Sequence, residues 1–335
     1  MAARGSMHCI RVHEPGGAEV LRWEACAPGE PGRGEALVRH TAVGLNFIDV
    51  YFRTALYPPP GYPFVPGIEA AGVVEEVGEA VSDLAVGDRV AYACRPLGAY
   101  SEARVLPADR LLKLPAQIDD ELAAGSTLKG LTAHYLLRRT FPVQRGQTIL
   151  VHAAAGGVGS LVCQWAAHLG ARVIGTVGSD EKAARAAEDG CDHPIVYTRE
   201  DFAARVRELT DGRGIDVVYD SVGAATFTRS LDCLRPMGMM VSFGQSSGPV
   251  GDFSLGELAS RGSLIITRPS LMDYSAARED LVAGFEEFVA LLVSGVLRCR
   301  VEQRFGLREA AAAHRALERR ETVGSTVLIP PGAGS

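Results

Sequence analysis

The chain has 335 residues, 47% of them apolar and 22% charged. That is enough for two domains with substantial cores, and it excludes an intrinsically disordered chain. A formal net charge of −6 argues against a general nucleic-acid binder, which needs a basic face.

Seven cysteines form no C-x-x-C pair, and the start carries no secretory apolar region. Reduced thiols in a cytoplasmic protein are therefore expected. No apolar run approaches the ~20 residues of a membrane helix. Residues 1–6 end in a Gly–Ser pair of the kind an appended tag leaves, and they are set aside.

The first third reads as β. "EALVRHTAVGLN" (35–46), "GVVEEVG" (72–78), "VGDRVAY" (86–92) and "GAYSEARVLPADRLLKLP" (98–115) alternate apolar and polar residues between turn signals, which suggests a barrel or sandwich. "ALYPPPGYPFVPG" (55–67) is too rich in proline for a regular element. From Asp119 to Arg139 the pattern is helical. A β-then-α rhythm follows: strands "TILVHA", "RVIGTV", "IDVVYDSVG" and "GMMVSFG" alternate with helices "SLVCQWAAHLG", "DEKAARAAEDG" and "FTRSLDCLR". Such alternation implies a parallel sheet covered on both faces. Residues 275–295 read as helix and "STVLIP" as a final strand.

"VHAAAGGVGS" (151–160) lies between the first strand and helix of this rhythm. The pattern G-x-G-x-x-G falls on Ala154, Gly156 and Gly159, with alanine in the first place. Gly156 and Gly159 can serve the backbone approach to a pyrophosphate and the close helix–strand packing. Ala154 is acceptable if its φ stays negative. The helix start at Val158–Ser160 then offers N–H groups and a dipole end to phosphate. Strand, loop, helix and strand together read as a dinucleotide site, and the missing G-K-[ST] excludes a P-loop.

An NAD site places an acidic residue at the end of the second strand, about 20 residues past the loop. Here "RVIGTV" ends at Val177 and is followed by Gly178. Ser179, Lys182 and Tyr197 supply hydroxyls and a cation instead, which favours NADPH. Asp180 and Glu181 keep NADH open.

With these motifs, and with "GLNFIDVYFR", "LYPPP", "GIEAAGVVEEVG", "LKGLTAHYLL", "YDSVG", "MVSFGQSSG" and "TRPSL", the chain resembles the medium-chain dehydrogenase/reductase superfamily over residues 7–330. It is most similar to the zinc-free quinone oxidoreductases of the zeta-crystallin type, bacterial NADPH:quinone reductases among them. The resemblance implies a GroES-like β-barrel domain (1–128), a Rossmann domain holding NADPH (129–266), and a return to the first domain (267–335), with the cofactor in the cleft between them. It also implies a homodimer through edge strands near "SLIITRP".

The zinc dehydrogenase pattern is present as Gly67, Ile68, Glu69, Gly72, Gly78 and Val81, with isoleucine in the place of the ligand histidine. Asn46 and Leu128 stand at the other two ligand positions. Zinc takes thiolate, imidazole or carboxylate ligands, so no metal is expected. Without a Lewis acid, reduction of an already electrophilic acceptor is easier than oxidation of an alcohol. Asn46 is the first candidate for a polar group at the acceptor. Tyr51 and Tyr57 are candidate hydrogen-bond donors to it, although both also read as residues packed under the proline loop. Lys129 and Thr132 are candidates near the nicotinamide. Asp49 reads as a structural hydrogen-bonding residue.

The resemblance carries further roles to matching positions. Gly157 and Val158, within Gly156–Gly159, face the pyrophosphate, and Gly178, Ser179, Lys182 and Tyr197 surround the 2′-phosphate. Ser221 lies near the adenine ribose. Phe243, Gly244 and Ser246 flank the nicotinamide ribose, where Asn46 and Thr132 also count as cofactor contacts. Arg268, Pro269, Ser270 and Leu271 contact the nicotinamide amide through backbone groups.

The expected activity is therefore NADPH-dependent reduction of a small-molecule quinone or another electrophilic carbonyl acceptor. The alternatives are reduction of an enone or alkenal double bond, which needs a placed proton donor, and a non-catalytic, crystallin-like NADPH-binding protein. "GQSSG" (244–248) also matches the nucleophile elbow of serine hydrolases, with Asp273 and His314 later in the chain. That elbow must run into a helix, and the following "PVGDF" argues against one.

Overall fold

The computed structural model describes residues 7–333; the tag-like residues 1–6 lie outside that range. The chain divides into two compact units. One runs to Leu128 and takes in Leu281–Phe285 and the chain from Cys299 onward; the other comprises Lys129–Asp280 and Glu286–Arg298.

The first unit opens with an antiparallel pair, β1 (Met7–Val12) and β2 (Leu21–Cys26). Then come β3 (Glu35–Leu45), helix α1 (Phe47–Arg53), β4 (Glu69–Val77), β5 (Arg89–Ala93), β6 (Ala103–Pro107) and β7 (Leu112–Lys113). β3 is the hub, pairing antiparallel with both β4 and β6. Its residues are buried at most positions on both faces, as a central strand requires. The proline-rich stretch 55–67 forms no helix or strand. Helix α2 (Asp120–Tyr135) leads out of this unit into the second.

The second unit is built on β8 (Thr148–His152), α3 (Gly157–His168), β9 (Arg172–Val177), α4 (Asp180–Glu188), β10 (His193–Val196), α5 (Phe202–Leu209), β11 (Ile215–Asp220), α6 (Phe227–Leu231), β12 (Leu234–Ser242), α7 (Gly256–Ser260), β13 (Ile265–Thr267), α8 (Leu271–Tyr274) and α9 (Arg278–Val293). All six strands are parallel, in the order β10-β9-β8-β11-β12-β13. This is the doubly wound dinucleotide-fold order, which reverses direction between β8 and β11. β8 is buried at every position, which explains its unbroken apolar run. Pro194 is tolerated because β10 is an edge strand. The chain then returns to the first unit with β14 (Val301–Gly306), α10 (Ala310–Glu318) and β15 (Ser325–Ile329), where β15 joins β3.

Three expectations differ from the structure. "FTRSLDCLR" is helical only to Leu231; Leu234 already pairs with Ile215 and opens β12, because that pairing buries it against the sheet core. A return at residue 267 would split β13, whose Thr267 pairs with Val241 of β12, and the second compact unit runs on to Asp280. "FIDVYFR" lies within the stretch read as β, yet it forms α1. It is apolar on nearly every side and shows no amphipathic period. Its signal was Asn46 followed three residues later by Asp49, a capping pair.

Candidate active site

In the first unit the site is built where β3 hands over to α1. Asn46 caps that helix with extended backbone (φ −135, ψ 154), and its N–H donates to Asp49 Oδ2 at 2.9 Å. Its side-chain Nδ2 donates to Glu69 Oε2 at 2.6 Å, and the other oxygen of Glu69 accepts the Leu128 N–H, also at 2.6 Å. Asn46 and Glu69 are buried, Glu69 completely. One carboxylate thus binds Asn46 and Leu128, two of the three residues that the resemblance sets at zinc-ligand positions, and it follows the third, Ile68, in the chain. Gly44 permits this approach: a Cβ there would stand 2.2 Å from the Ala124 carbonyl and 2.3 Å from Glu69 Oε2. Among the described residues no group of three or more His, Cys, Asp or Glu is placed to hold a metal.

Tyr51 and Tyr57 come together, with ring centroids 5.1 Å apart, and the Tyr57 N–H donates to the Tyr51 carbonyl. Tyr51 is buried and Tyr57 half-buried. Lys129 and Thr132, one turn apart on α2, are both buried at 6% exposure.

Behind α1 lies a buried polar chain. Tyr100 donates its hydroxyl to Asp49 Oδ2 (3.1 Å) and meets His314 Nε2 at 3.0 Å. His314 Nδ1 faces Arg53 Nη1 at 3.0 Å, and Arg53 forms a bidentate pair with Glu318 at 3.0 and 2.7 Å. Arginine only donates, so Nδ1 accepts and Nε2 carries the hydrogen that goes to Tyr100. Burial, and then the Arg53 charge, push the His314 pKa down to about 3. Asp49 is thus an acceptor that holds the first turn of α1.

In the second unit the expected cofactor residues gather at the carboxyl ends of the parallel strands, where such folds bind ligands. Gly156 caps α3 (φ −80, ψ 170). Gly159 meets the packing demand, since a Cβ there would be 2.2 Å from the Ala153 carbonyl. Ala154 avoids positive φ, but the turn does not escape strain. Ala153 takes the left-handed conformation at φ 53, which costs an alanine roughly 1–2 kcal/mol.

Gly178 follows β9. Ser179 caps α4 and accepts the Lys182 N–H at 3.3 Å. The Tyr197 hydroxyl stands over this strand end, 3.1 Å from where a Gly178 Cβ would be. The loops after β11 and β12 lie against each other: the Ser246 N–H donates to the Ser221 carbonyl at 3.2 Å, and Gly244 passes where a Cβ would be 2.6 Å from that oxygen. Phe243 donates its N–H to the Asp220 carbonyl at 2.9 Å. Arg268 donates to the carbonyls of Ser242 and Gly244 at 2.8 and 2.9 Å, which ties the "TRPS" stretch, with Pro269 and with Ser270 capping α8 before Leu271, to the same edge. No helix follows "GQSSG" before α7 at Gly256, so a nucleophile elbow does not form.

Sequence reasoning missed four parts of this arrangement. Glu69 was visible only as a pattern residue. Asp220 is fully buried and accepts from the N–H groups of Val222 and Gly223 and from the Thr226 hydroxyl, which shapes the loop that carries Ser221; its signal was its place at the end of "VVYD". The Tyr100–His314–Arg53 chain and the pairing of Arg199 with Asp180 had no local signal.

The GroES-like domain of the alcohol dehydrogenases matches residues 32–116, and the zinc-binding dehydrogenase domain matches residues 157–283. A quinone oxidoreductase of Pseudomonas aeruginosa is 53% identical over 94% of this chain and 97% of its own length. The chain belongs to the quinone oxidoreductase family of medium-chain dehydrogenase/reductases. A 2-haloacrylate reductase of a Burkholderia species is 48% identical over 95% of this chain and 98% of its own. The crystal structure of Escherichia coli quinone oxidoreductase complexed with NADPH has a TM-score of 0.95 at 48% identity, covering 96% of this chain and all of the other.

Proposed function

We propose that this chain is an NADPH-dependent quinone oxidoreductase that works without a metal. The observation that carries the reading is the buried Asn46–Glu69 bond at a position where related dehydrogenases hold zinc, in a chain whose relatives include a quinone oxidoreductase solved with NADPH.

The residues at the sheet edge fit the cofactor. The α3 N-terminus and Gly156–Gly159 suit a pyrophosphate. Gly178, Ser179, Lys182 and Tyr197 suit a 2′-phosphate, with a cation and hydroxyls at a strand end that carries no carboxylate itself. Ser221, Phe243, Gly244, Ser246 and Arg268–Leu271 suit the two riboses and the nicotinamide amide. When bound, NADPH supplies the hydride.

The rest falls to the chain's own side chains. The Asn46 amide has two N–H donors; Glu69 takes one and fixes the plane of the amide, which leaves the other to meet the acceptor oxygen. Such a preset donor needs no reorganisation as negative charge grows on that oxygen. Tyr51 and Tyr57 are the proton donors nearest in the chain, and Lys129 and Thr132 orient the nicotinamide end. The donor set Asn46, Ile68 and Leu128 supports zinc independence, because none of the three is a zinc ligand.

A homodimer and a cytoplasmic location belong to the same reading. β13 is a sheet edge with Ile265 48% exposed, and an apolar strand edge is a pairing surface. None of the seven cysteines is disulfide-bonded, and among the described residues no helix is long and apolar enough to cross a membrane.

The test is steady-state oxidation of NADPH and NADH, side by side, with 1,4-benzoquinone and 9,10-phenanthrenequinone. Turnover with quinone and a preference for NADPH are expected. Cofactor binding without turnover on any quinone would overturn the reading in favour of a non-catalytic protein. The similarity to a 2-haloacrylate reductase favours one second reading, reduction of an activated carbon–carbon double bond with Tyr51 or Tyr57 giving the proton. Deuterated NADPH with an enone decides it: deuterium at the carbon β to the carbonyl supports double-bond reduction.

A further inference from the structure

Asp180 stands three residues past the end of β9, next to the place from which an acidic residue reads a ribose 2′-hydroxyl in NAD-binding folds. It is the first residue of α4, after Gly178 and the cap Ser179. Alone, its carboxylate would accept from that hydroxyl and repel a 2′-phosphate.

It is not alone. Arg199 Nη1 and Nη2 donate to the two Asp180 oxygens at 2.7 and 2.5 Å. The fork is bidentate, and both side chains are exposed, open to a ligand. Arg199 lies in the loop after β10. Tyr197 in that loop donates its N–H to the Val177 carbonyl (3.1 Å), and the Thr198 hydroxyl reaches the Gly178 carbonyl at 3.5 Å. The loop is thereby fixed beside the end of β9, the strand end that Ser179, Lys182 and Tyr197 also border.

We infer that the Arg199–Asp180 pair sets the choice of dinucleotide, withholding the Asp180 carboxylate from a ribose 2′-hydroxyl and placing a second cation beside a 2′-phosphate. Two effects act together. Arg199 offsets the Asp180 charge and takes one acceptor site on each oxygen, so the carboxylate is a weaker acceptor for the hydroxyl that NADH presents. Arg199 has five N–H donors, of which Asp180 takes two; the others remain for phosphate oxygens, at the strand end that α4 with Lys182 follows. The inference rests on the proposed reading that this strand end binds the adenine ribose.

The experiment is calorimetric titration with NADP⁺ and NAD⁺, which needs no turnover, on the wild type, R199M, D180N, R199M/D180N and K182A. R199M should weaken NADP⁺ by about tenfold or more, the scale of one charged hydrogen bond, and tighten NAD⁺, because it frees Asp180. D180N should leave NADP⁺ as tight or tighter. The double variant should recover part of the NADP⁺ loss, since the repelling carboxylate is gone. If R199M moves both dinucleotides by the same factor, or leaves NADP⁺ unchanged while K182A weakens it, the pair has no such role and the 2′-phosphate subsite stands. If neither R199M nor K182A affects NADP⁺, the subsite itself is wrong and the inference falls with it.

Discussion

Asn46 donates a side-chain amide hydrogen to Glu69 across 2.6 Å, and both side chains are buried. The second Glu69 oxygen takes the Leu128 N–H at the same distance. A buried carboxylate is costly unless its lone pairs are engaged, and here the engagement also fixes Asn46. Glu69→Gln keeps the shape but turns one accepting oxygen into an NH₂ group that faces a donor. The expected loss is about 1–3 kcal/mol of stability, with a fall in quinone turnover. Urea unfolding and steady-state kinetics check both, and an unchanged unfolding midpoint would sink the argument.

Tyr100→Phe tests the chain behind α1. The hydroxyl both donates to Asp49 and accepts from His314, so its loss strands two buried groups. Tyr92, also fully buried, makes the comparison, since its hydroxyl meets a histidine, His40 Nε2 at 2.8 Å, as that of Tyr100 meets His314. Tyr100→Phe should lower the urea midpoint more than Tyr92→Phe, by about 1–3 kcal/mol for the additional orphaned group. Equal effects would show that the Asp49 link contributes nothing.

The parallel sheet was legible because each of its strands is a short apolar run followed by a helix or a glycine turn, and the phosphate loop because its glycines answer local steric needs. α1 was not legible, since seven residues apolar on nearly all sides carry no period. The Glu69 role was half visible: the pattern marked the residue, but only folding brings Asn46 and Leu128 to it from 23 and 59 positions away. Arg53 and Glu318 lie 265 positions apart. No local reading joins such residues, because their pairing is a property of the folded domain and not of the neighbouring chain. The strain at Ala153 rather than Ala154 was missed for a related reason: spacing shows that a tight turn is needed, not which residue bears it.

Acid should destabilise the protein from just below neutrality. Burial lowers the pKa values of His40 and His314 to about 3, and it pushes that of His152 down from its ordinary value. Each ring has both nitrogens committed: His40 to the Ser101 carbonyl and Tyr92, His152 to Thr176 and Ser230, and His314 to Arg53 and Tyr100. In the unfolded chain these groups titrate near 6.5. The unfolded state therefore binds more protons between about pH 6.5 and 3, and stability falls as pH falls through that window while staying flat above it. By pH 5 the loss is about 2 kcal/mol per histidine for His40 and His314. Urea midpoints at pH 7.5, 6.5 and 5 measure it. His314→Gln, whose amide oxygen can still accept from Arg53, should make the dependence shallower. Stability unchanged between pH 7 and 5 would contradict the burial of neutral rings.

Gly159→Ala separates the part of the cofactor site that both dinucleotides share from the part that tells them apart. Gly159 is not in the left-handed region, so alanine meets no backbone penalty there and even gains up to ~1 kcal/mol of helix propensity. Against this stands its Cβ, 2.2 Å from the Ala153 carbonyl oxygen and 3.0 Å from the Ala154 Cα. These are backbone atoms that cannot swing aside, so α3 must move away from the loop, and overpacking of this kind costs about 1–3 kcal/mol. The steric term outweighs the propensity gain. Because the displaced N–H groups are those that suit a pyrophosphate, NADP⁺ and NAD⁺ should weaken by the same factor, in contrast to the selective losses expected for K182A and R199M. Calorimetric titration of both dinucleotides tests this, and a loss confined to NADP⁺ would place the glycine loop at the 2′-phosphate instead of the pyrophosphate.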